Sequence, residues 1–270
     1  MSGQSAFHSG LMSVTFRQKA IQEVVDIVVR AGLESITWAG DSHVLPDETA
    51  AAERARVACA TASVRVEGYG SYWRGDGSDF APTLGAAQIL GASRVRVWAG
   101  SEGSEVASVV DRQRIVERVA CAADAAAPAG IGLHLEFHRN TLTDTAESTS
   151  VLLDEIAALR MTDEMPVQTY WQPRPGIATR DAMAEIALLG SQISAAHVFS
   201  WDKDAKRLPL NEHREQWLAI LGALAEHPLD TECDQPRDLM LEFVRGDSTS
   251  QLLDDARELH RLVGVCCRSG

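Results

Sequence analysis

The stretch Leu133-His134-Leu135-Glu136-Phe137-His138 alternates apolar and ionisable side chains. With the two-residue period of a β-strand, His134, Glu136 and His138 share one face, while Leu133, Leu135 and Phe137 form another suited to pack under helices. The same alternation separates Glu242 from Leu241 and Phe243, His197 from Ala196 and Val198, and Arg94, Arg96 and Trp98 from Val95 and Val97. A carboxylate enclosed in a strand interior costs several kcal/mol unless it is paired. Two kinds of partner satisfy such a pair of glutamates and a histidine. One is a shared divalent cation: carboxylate oxygens and an imidazole suit manganese, magnesium, cobalt or zinc, and the set lacks the thiolates that select softer ions. The other is a structural ion network with Arg94 and Arg96. Both glutamates fall near the ends of their strands, where barrel enzymes keep their sites, and this favours the cation.

These side chains need elements to hold them. Residues 11–16 read as a strand and residues 17–31 as a helix, with Ile21, Val24, Val25 and Val28 at helical spacing and Gly32 at the end. Strand patterns recur at residues 35–38, 64–69, 94–98, 132–137, 167–171, 193–199 and 239–243, each followed by an amphipathic segment, which makes eight units. Gly32, Gly91 and Gly130 stand at helix-to-strand corners, where a left-handed residue stops a helix at low cost. Residues 161–166 read as a loop. No proline-rich or low-complexity linker divides the chain, so residues 1–270 are expected to form a single domain. Strands alternating with helices pair in parallel through right-handed crossovers, as an open doubly wound sheet or a closed barrel. An open dinucleotide-binding sheet would carry a glycine-rich loop after its first strand, where Phe16, Arg17 and Gln18 stand instead. The count of eight favours closure, and the expected fold is α/β, a (β/α)8 TIM barrel.

Composition narrows the partners. Hydrophobic residues make up 45% and charged residues 23% of the chain, an ordinary soluble balance, and no run of about 18 apolar residues is present to span a bilayer. Against 38 acidic residues stand 25 basic ones, a net charge of −13 spread along the chain. Such a surface repels phosphate backbones. Neither a nucleic acid nor a membrane is an expected partner. A small molecule is, and a homo-oligomer is compatible with that. Residues 1–14 lack the basic stretch and apolar core of a secretory signal, so a cytoplasmic location is expected. The cysteines are odd in number; Cys59 and Cys121 lie in alanine-rich helical patterns and read as buried thiols, and Cys266 and Cys267 show no zinc-type spacing.

Several segments together resemble the sugar phosphate isomerase and epimerase family of xylose isomerase-like barrels, which also has endonuclease-type and dehydratase branches. They are Trp38-Ala39-Gly40-Asp41-Ser42-His43-Val44, Gly70-Ser71-Tyr72, Arg96-Val97-Trp98-Ala99-Gly100, Leu135-Glu136-Phe137-His138, Tyr170-Trp171-Gln172-Pro173, His197-Val198-Phe199-Ser200-Trp201 and Leu241-Glu242-Phe243. The resemblance covers nearly the whole chain and rests on the order of these segments at strand ends. It implies one divalent ion held by acids on strands five, six and eight and by a histidine or aspartate on strand seven, here Glu136, Glu242 and His197. Strand six departs from that pattern. No acid stands between Pro166 and Gly176, and Gln172 is the substitute, its carbonyl oxygen able to ligate a hard cation without supplying charge.

What the resemblance implies about chemistry is an isomerase or epimerase of a sugar or related polyol, a role in carbohydrate metabolism. The metal acts as a Lewis acid for an enediolate, and Glu136 and Glu242 serve as bases. His138 is a candidate proton shuttle or hydroxyl ligand. His43, beside Asp41, and the strand-end tryptophans Trp98, Trp171 and Trp201 are candidate substrate contacts, since aromatic walls stack on the apolar faces of sugars. Arg139 and Lys203 fall in rim loops and read as solvated surface charges. A dehydratase of a cyclic polyol or shikimate-type acid on the same site is the alternative, and no residue separates the two. A metal-free member and a non-catalytic carbohydrate-binding barrel complete the set. The acidic surface and short ligand list argue against a nuclease.

Overall fold

The computed structural model describes residues 6–229 and 236–269. Eight parallel strands close into a barrel: Phe7–Met12, Ser35–Ala39, Arg65–Gly70, Arg94–Val97, Gly132–Glu136, Gln168–Trp171, Ile193–Val198 and Arg237–Leu241, referred to below as strands one to eight. Strand one pairs with strand eight and with strand two, which completes the cylinder. Helices follow every strand, and the TIM barrel expected from the alternation is the fold observed. The first helix, Ile21–Ala31, shows why: Val24, Val25, Ile27 and Val28 bury one face, the Glu23 carboxylate accepts from the Ala20 N–H at 2.8 Å, and Gly32 at φ +67° ends it. A short antiparallel ribbon, Ser200–Trp201 with Arg207–Leu208, lies beyond strand seven.

The first and last strands start earlier than their apolar patterns predict. Strand one is Phe7–Met12 rather than residues 11–16, and residues Ser13–Phe16 form a buried 3-10 turn in which the Ser13 hydroxyl accepts from the Ala39 N–H at 2.8 Å. The apolar pattern is broken in the middle of the strand because Gly10 has no room for a side chain: a Cβ there would lie 2.4 Å from Ser35 Oγ and 2.6 Å from Met240 Cε. The first helix accordingly begins at Ile21, not residue 17. Strand eight begins at Arg237, whose buried guanidinium donates to the carbonyls of Ile193 at 2.6 Å and His227 at 2.7 Å. Cys59 is buried as expected, whereas Cys121 is exposed on the outer face of helix Val109–Ala126; alanine-rich pattern alone did not separate the two faces.

The apolar core fills the shell between strands and helices. The barrel interior is mostly polar instead, apart from a small apolar cluster of Met12, Val14, Ala39 and Met240. Glu67 accepts from the Tyr170 hydroxyl at 2.5 Å, from Arg94 at 2.8 Å and from Thr37; Arg94 also reaches Asp238 at 3.0 Å, and Asp238 pairs with Arg65. Two carboxylates balance two guanidiniums, and burial drives the Tyr170 hydroxyl well above its ordinary range. This network forms a floor under the mouth of the barrel. Among the described residues no helix is long and apolar enough to cross a membrane.

Candidate functional site

Strands four to eight end at Val97, Glu136, Trp171, Val198 and Leu241, so Trp98, Gln172 and Glu242 project from the first residue beyond a strand and Glu136 from the last residue of one. A cavity of about 320 Å³ opens there, lined by Arg96, Trp98, Glu136, His138, Gln172, Trp201 and Glu242, with Tyr72, Asp144, Phe199 and Phe243 among the rest. A larger groove of about 670 Å³ lies beside it, between the loops after strands six and seven, but it holds none of the buried ionisable groups.

The ionisable groups form a continuous chain. Arg96 Nη1 lies 2.7 Å from Glu136 Oε2. Gln172 donates from Nε2 to Glu136 Oε1 at 3.3 Å and to the Phe137 carbonyl at 2.8 Å, while its Oε1 sits 3.2 Å from His197 Nδ1. His197 Nδ1 lies 3.3 Å from Glu242 Oε2. Burial alone would raise the Glu136 carboxyl, but Arg96, His197 and His138 outweigh it and hold the group below its ordinary range. For His197, wholly enclosed beneath the cavity, burial favours the neutral ring, yet the facing Glu242 and Glu136 prevail and raise it.

Local structure explains these positions. Thr143 donates to the Glu136 carbonyl and Thr141 to the His138 carbonyl, both at 2.5 Å, which fastens the turn after strand five. His138 stacks on Trp98 with centroids 4.3 Å apart. Next to Glu242, Phe243 adopts φ +48°, an uncommon conformation for a bulky residue, held by its N–H on Thr15 Oγ1 at 3.1 Å. Strained backbone of this kind concentrates at functional sites.

Of the residues singled out in the sequence, Glu136, His138, Gln172, Glu242, Trp98 and Trp201 line the cavity and His197 lies directly beneath it. Two do not join them. Trp171 is fully buried on the helix side, its indole N–H donating to Glu185 at 3.1 Å, because neighbouring residues of a strand face opposite ways. His43 is buried against Trp38, with Nε2 3.2 Å from the Phe16 carbonyl, and Asp41 pairs with Arg17. Arg96 and Arg94 part company: Arg94 belongs to the floor, and Arg96 alone meets a site glutamate. Arg139 joins the cavity rim, Lys203 only the neighbouring groove. Tyr72, which accepts from Arg17 Nη2 at 3.0 Å, is a lining residue that the sequence offered only within a motif.

Among the described residues no three or more His, Cys, Asp or Glu side chains stand close enough together to hold a metal ion in this arrangement. The donor chemistry nevertheless fits a hard dication: two carboxylates, an imidazole and an amide oxygen. Glu136 Oε2 and Glu242 Oε2 are buried with ion-pair partners but no well-formed hydrogen bond, and His197 Nε2 has none either.

No family model matches the sequence, and neither does any curated protein. Solved structures do match in fold. The probable 3-DHS dehydratase AsbF from Bacillus anthracis shares 20% identity over 94% of this chain and 98% of its own, with a TM-score of 0.71. An L-ribulose 3-epimerase shares 15% identity over 96% of this chain and 95% of its own, at 0.71. A xylose isomerase-like TIM barrel protein from Mycobacterium smegmatis, in complex with magnesium, shares 15% over 98% and 99%, at 0.67. The chain has the fold of the xylose isomerase-like TIM barrels.

Proposed function

We propose that the chain is a divalent-metal-dependent enzyme that isomerises or epimerises a sugar or related polyol. The observation that carries this reading is the convergence of Glu136, Gln172, His197 and Glu242 at the mouth of the barrel, linked by contacts of 3.2 to 3.3 Å. These residues would hold the ion, which supplies Lewis-acid polarisation of adjacent carbonyl and hydroxyl oxygens and makes a neighbouring carbon-bound proton removable. Glu136 and Glu242 enter the cavity from strands five and eight and act as bases at that carbon. His138, stacked on Trp98, binds a hydroxyl or relays the proton. Trp98, Trp201 and Phe243 provide apolar walls that exclude water.

Loss of a β-hydroxyl after the same proton removal is the second reading, supported by the likeness in fold to a dehydratase. The free thiols of Cys59 and Cys121 suit a reducing, cytoplasmic setting. Metal analysis of untreated protein, followed by solvent deuterium incorporation into a panel of sugars and polyols, tests the proposal. Stoichiometric metal with exchange and no loss of water supports isomerisation; exchange with loss of water supports the dehydratase. A protein without metal that binds sugars and exchanges nothing is a carbohydrate-binding barrel, and the proposal falls.

A further inference from the structure

The charges around the cavity do not fit a neutral sugar. If a dication is held as proposed above, Glu136 and Glu242 cancel it, and the neutral Gln172 adds no further negative charge. The Arg96 guanidinium is then left without a counter-charge, although its side chain is only 5% exposed. A buried unpaired cation is strongly disfavoured. Three N–H groups at the same cavity also lack acceptors: Arg96 Nε and the indole Nε1 of Trp98 and of Trp201 are buried with no hydrogen-bond partner. The lining as a whole is cation-rich for this protein. Arg96, Arg139 and Arg174 match Glu136, Asp144 and Glu242 in number, in a chain whose net charge is −13.

We infer that the substrate is a polyol acid, and that its carboxylate pairs with Arg96 and supplies the negative charge that strand six lacks. A single buried guanidinium matches one planar, singly charged group. A phosphate would need a second enclosed cation, and the remaining candidates are committed elsewhere or open to water: Arg174 is tied to Glu185 at 2.5 Å and Arg139 is exposed. This inference rests on the proposed metal site for its charge count, and on the unsatisfied Arg96, Trp98 and Trp201 donors independently of it.

The test compares matched ligands by titration calorimetry, with the protein first loaded with manganese and then stripped by chelator. Gluconate is set against sorbitol, quinate against myo-inositol, and glucose 6-phosphate against glucose. The carboxylates are expected to bind at least about tenfold tighter than their neutral partners. Arg96→Met should remove that advantage. Should that variant fail to fold, Gln172→Glu gives the same information, since a restored third carboxylate should shift preference towards the neutral ligands. Equal affinity for acids and neutral polyols in a protein that binds manganese overturns the inference and leaves the metal site standing. An advantage for the acids in a protein that binds no manganese keeps the inference and sinks the metal site. Tighter binding of the phosphate ester than of either carboxylate overturns the assignment to a carboxylate.

Discussion

The Arg96 guanidinium meets the Glu136 carboxylate at 2.7 Å, with the two side chains 5% and 8% exposed, across adjacent strands four and five. Each is the nearest counter-charge of the other, and Arg96 is further anchored by donating to the Ser71 carbonyl at 3.0 Å. Removing one member of such a pair strands the other in a low-dielectric site. Arg96→Met is therefore expected to destabilise the metal-free protein by about 3 to 5 kcal/mol, and the double variant with Glu136→Gln to recover most of the loss. Urea unfolding of the four proteins in chelator checks this. A single variant as stable as its parent would show that the pair does not hold Glu136 in place.

How much of this was legible in the sequence follows from what period and charge encode. Alternation within a strand sorts Glu136 and His197 from their apolar neighbours, because facing is a local property of the chain; it fails for Glu242, whose neighbour Phe243 lies beyond the strand at φ +48° and lines the same cavity instead of the helix side. The alternation also holds the information about Trp171: the parity that turns its neighbour Gln172 inward turns Trp171 to the helix side. The apolar pattern puts Glu242 within strand eight, yet the strand runs from Arg237 to Leu241; its buried polar start at Arg237 and Asp238 is stabilised by tertiary partners that no apolar pattern announces. The division of labour between Arg94 and Arg96 was hidden for a similar reason. Both face inward, and only the height of Glu67 and Asp238 in the barrel decides which arginine joins the floor.

Glu136→Gln and Glu242→Gln keep shape while removing the base and a carboxylate of the proposed metal site, so both should lose turnover, and Glu136→Gln should also lose stability because it leaves Arg96 without its counter-charge. General-base removal typically costs about 10² to 10⁴-fold. With a substrate identified by deuterium incorporation, the exchange rate of each variant is the measurement, and circular dichroism confirms the fold. Normal exchange in both variants would remove these glutamates from the chemistry.

His43 gives a pH dependence of stability. Burial holds its ring below the ordinary 6.5, outweighing the carbonyls of Phe16 and Lys19 that favour the charged form. Just below pH 6.5 the unfolded chain therefore binds a proton that the folded chain refuses, and stability falls as the pH drops. His43→Gln keeps a donor for the Phe16 carbonyl and abolishes the titration. Melting temperatures between pH 7 and 5 should decline less steeply in the variant than in the parent, whereas parallel curves would mean that the buried ring carries no such linkage.

Gly70 ends strand three directly beside Arg96, and a Cβ there would sit 3.0 Å from Arg96 Nη2. The obstacle is the end of a long side chain, so Gly70→Ala should shift the guanidinium rather than the barrel. The expected stability loss is about 1 to 2 kcal/mol, in the range of mild overpacking. Ligand affinity should fall by a larger factor than stability suggests, because the displaced guanidinium would lengthen its contacts to both the Ser71 carbonyl and Glu136. Calorimetric titration with gluconate, alongside the melting curve, separates the two effects. An alanine variant that melts lower but binds gluconate unchanged would show that the position of Arg96 does not govern recognition.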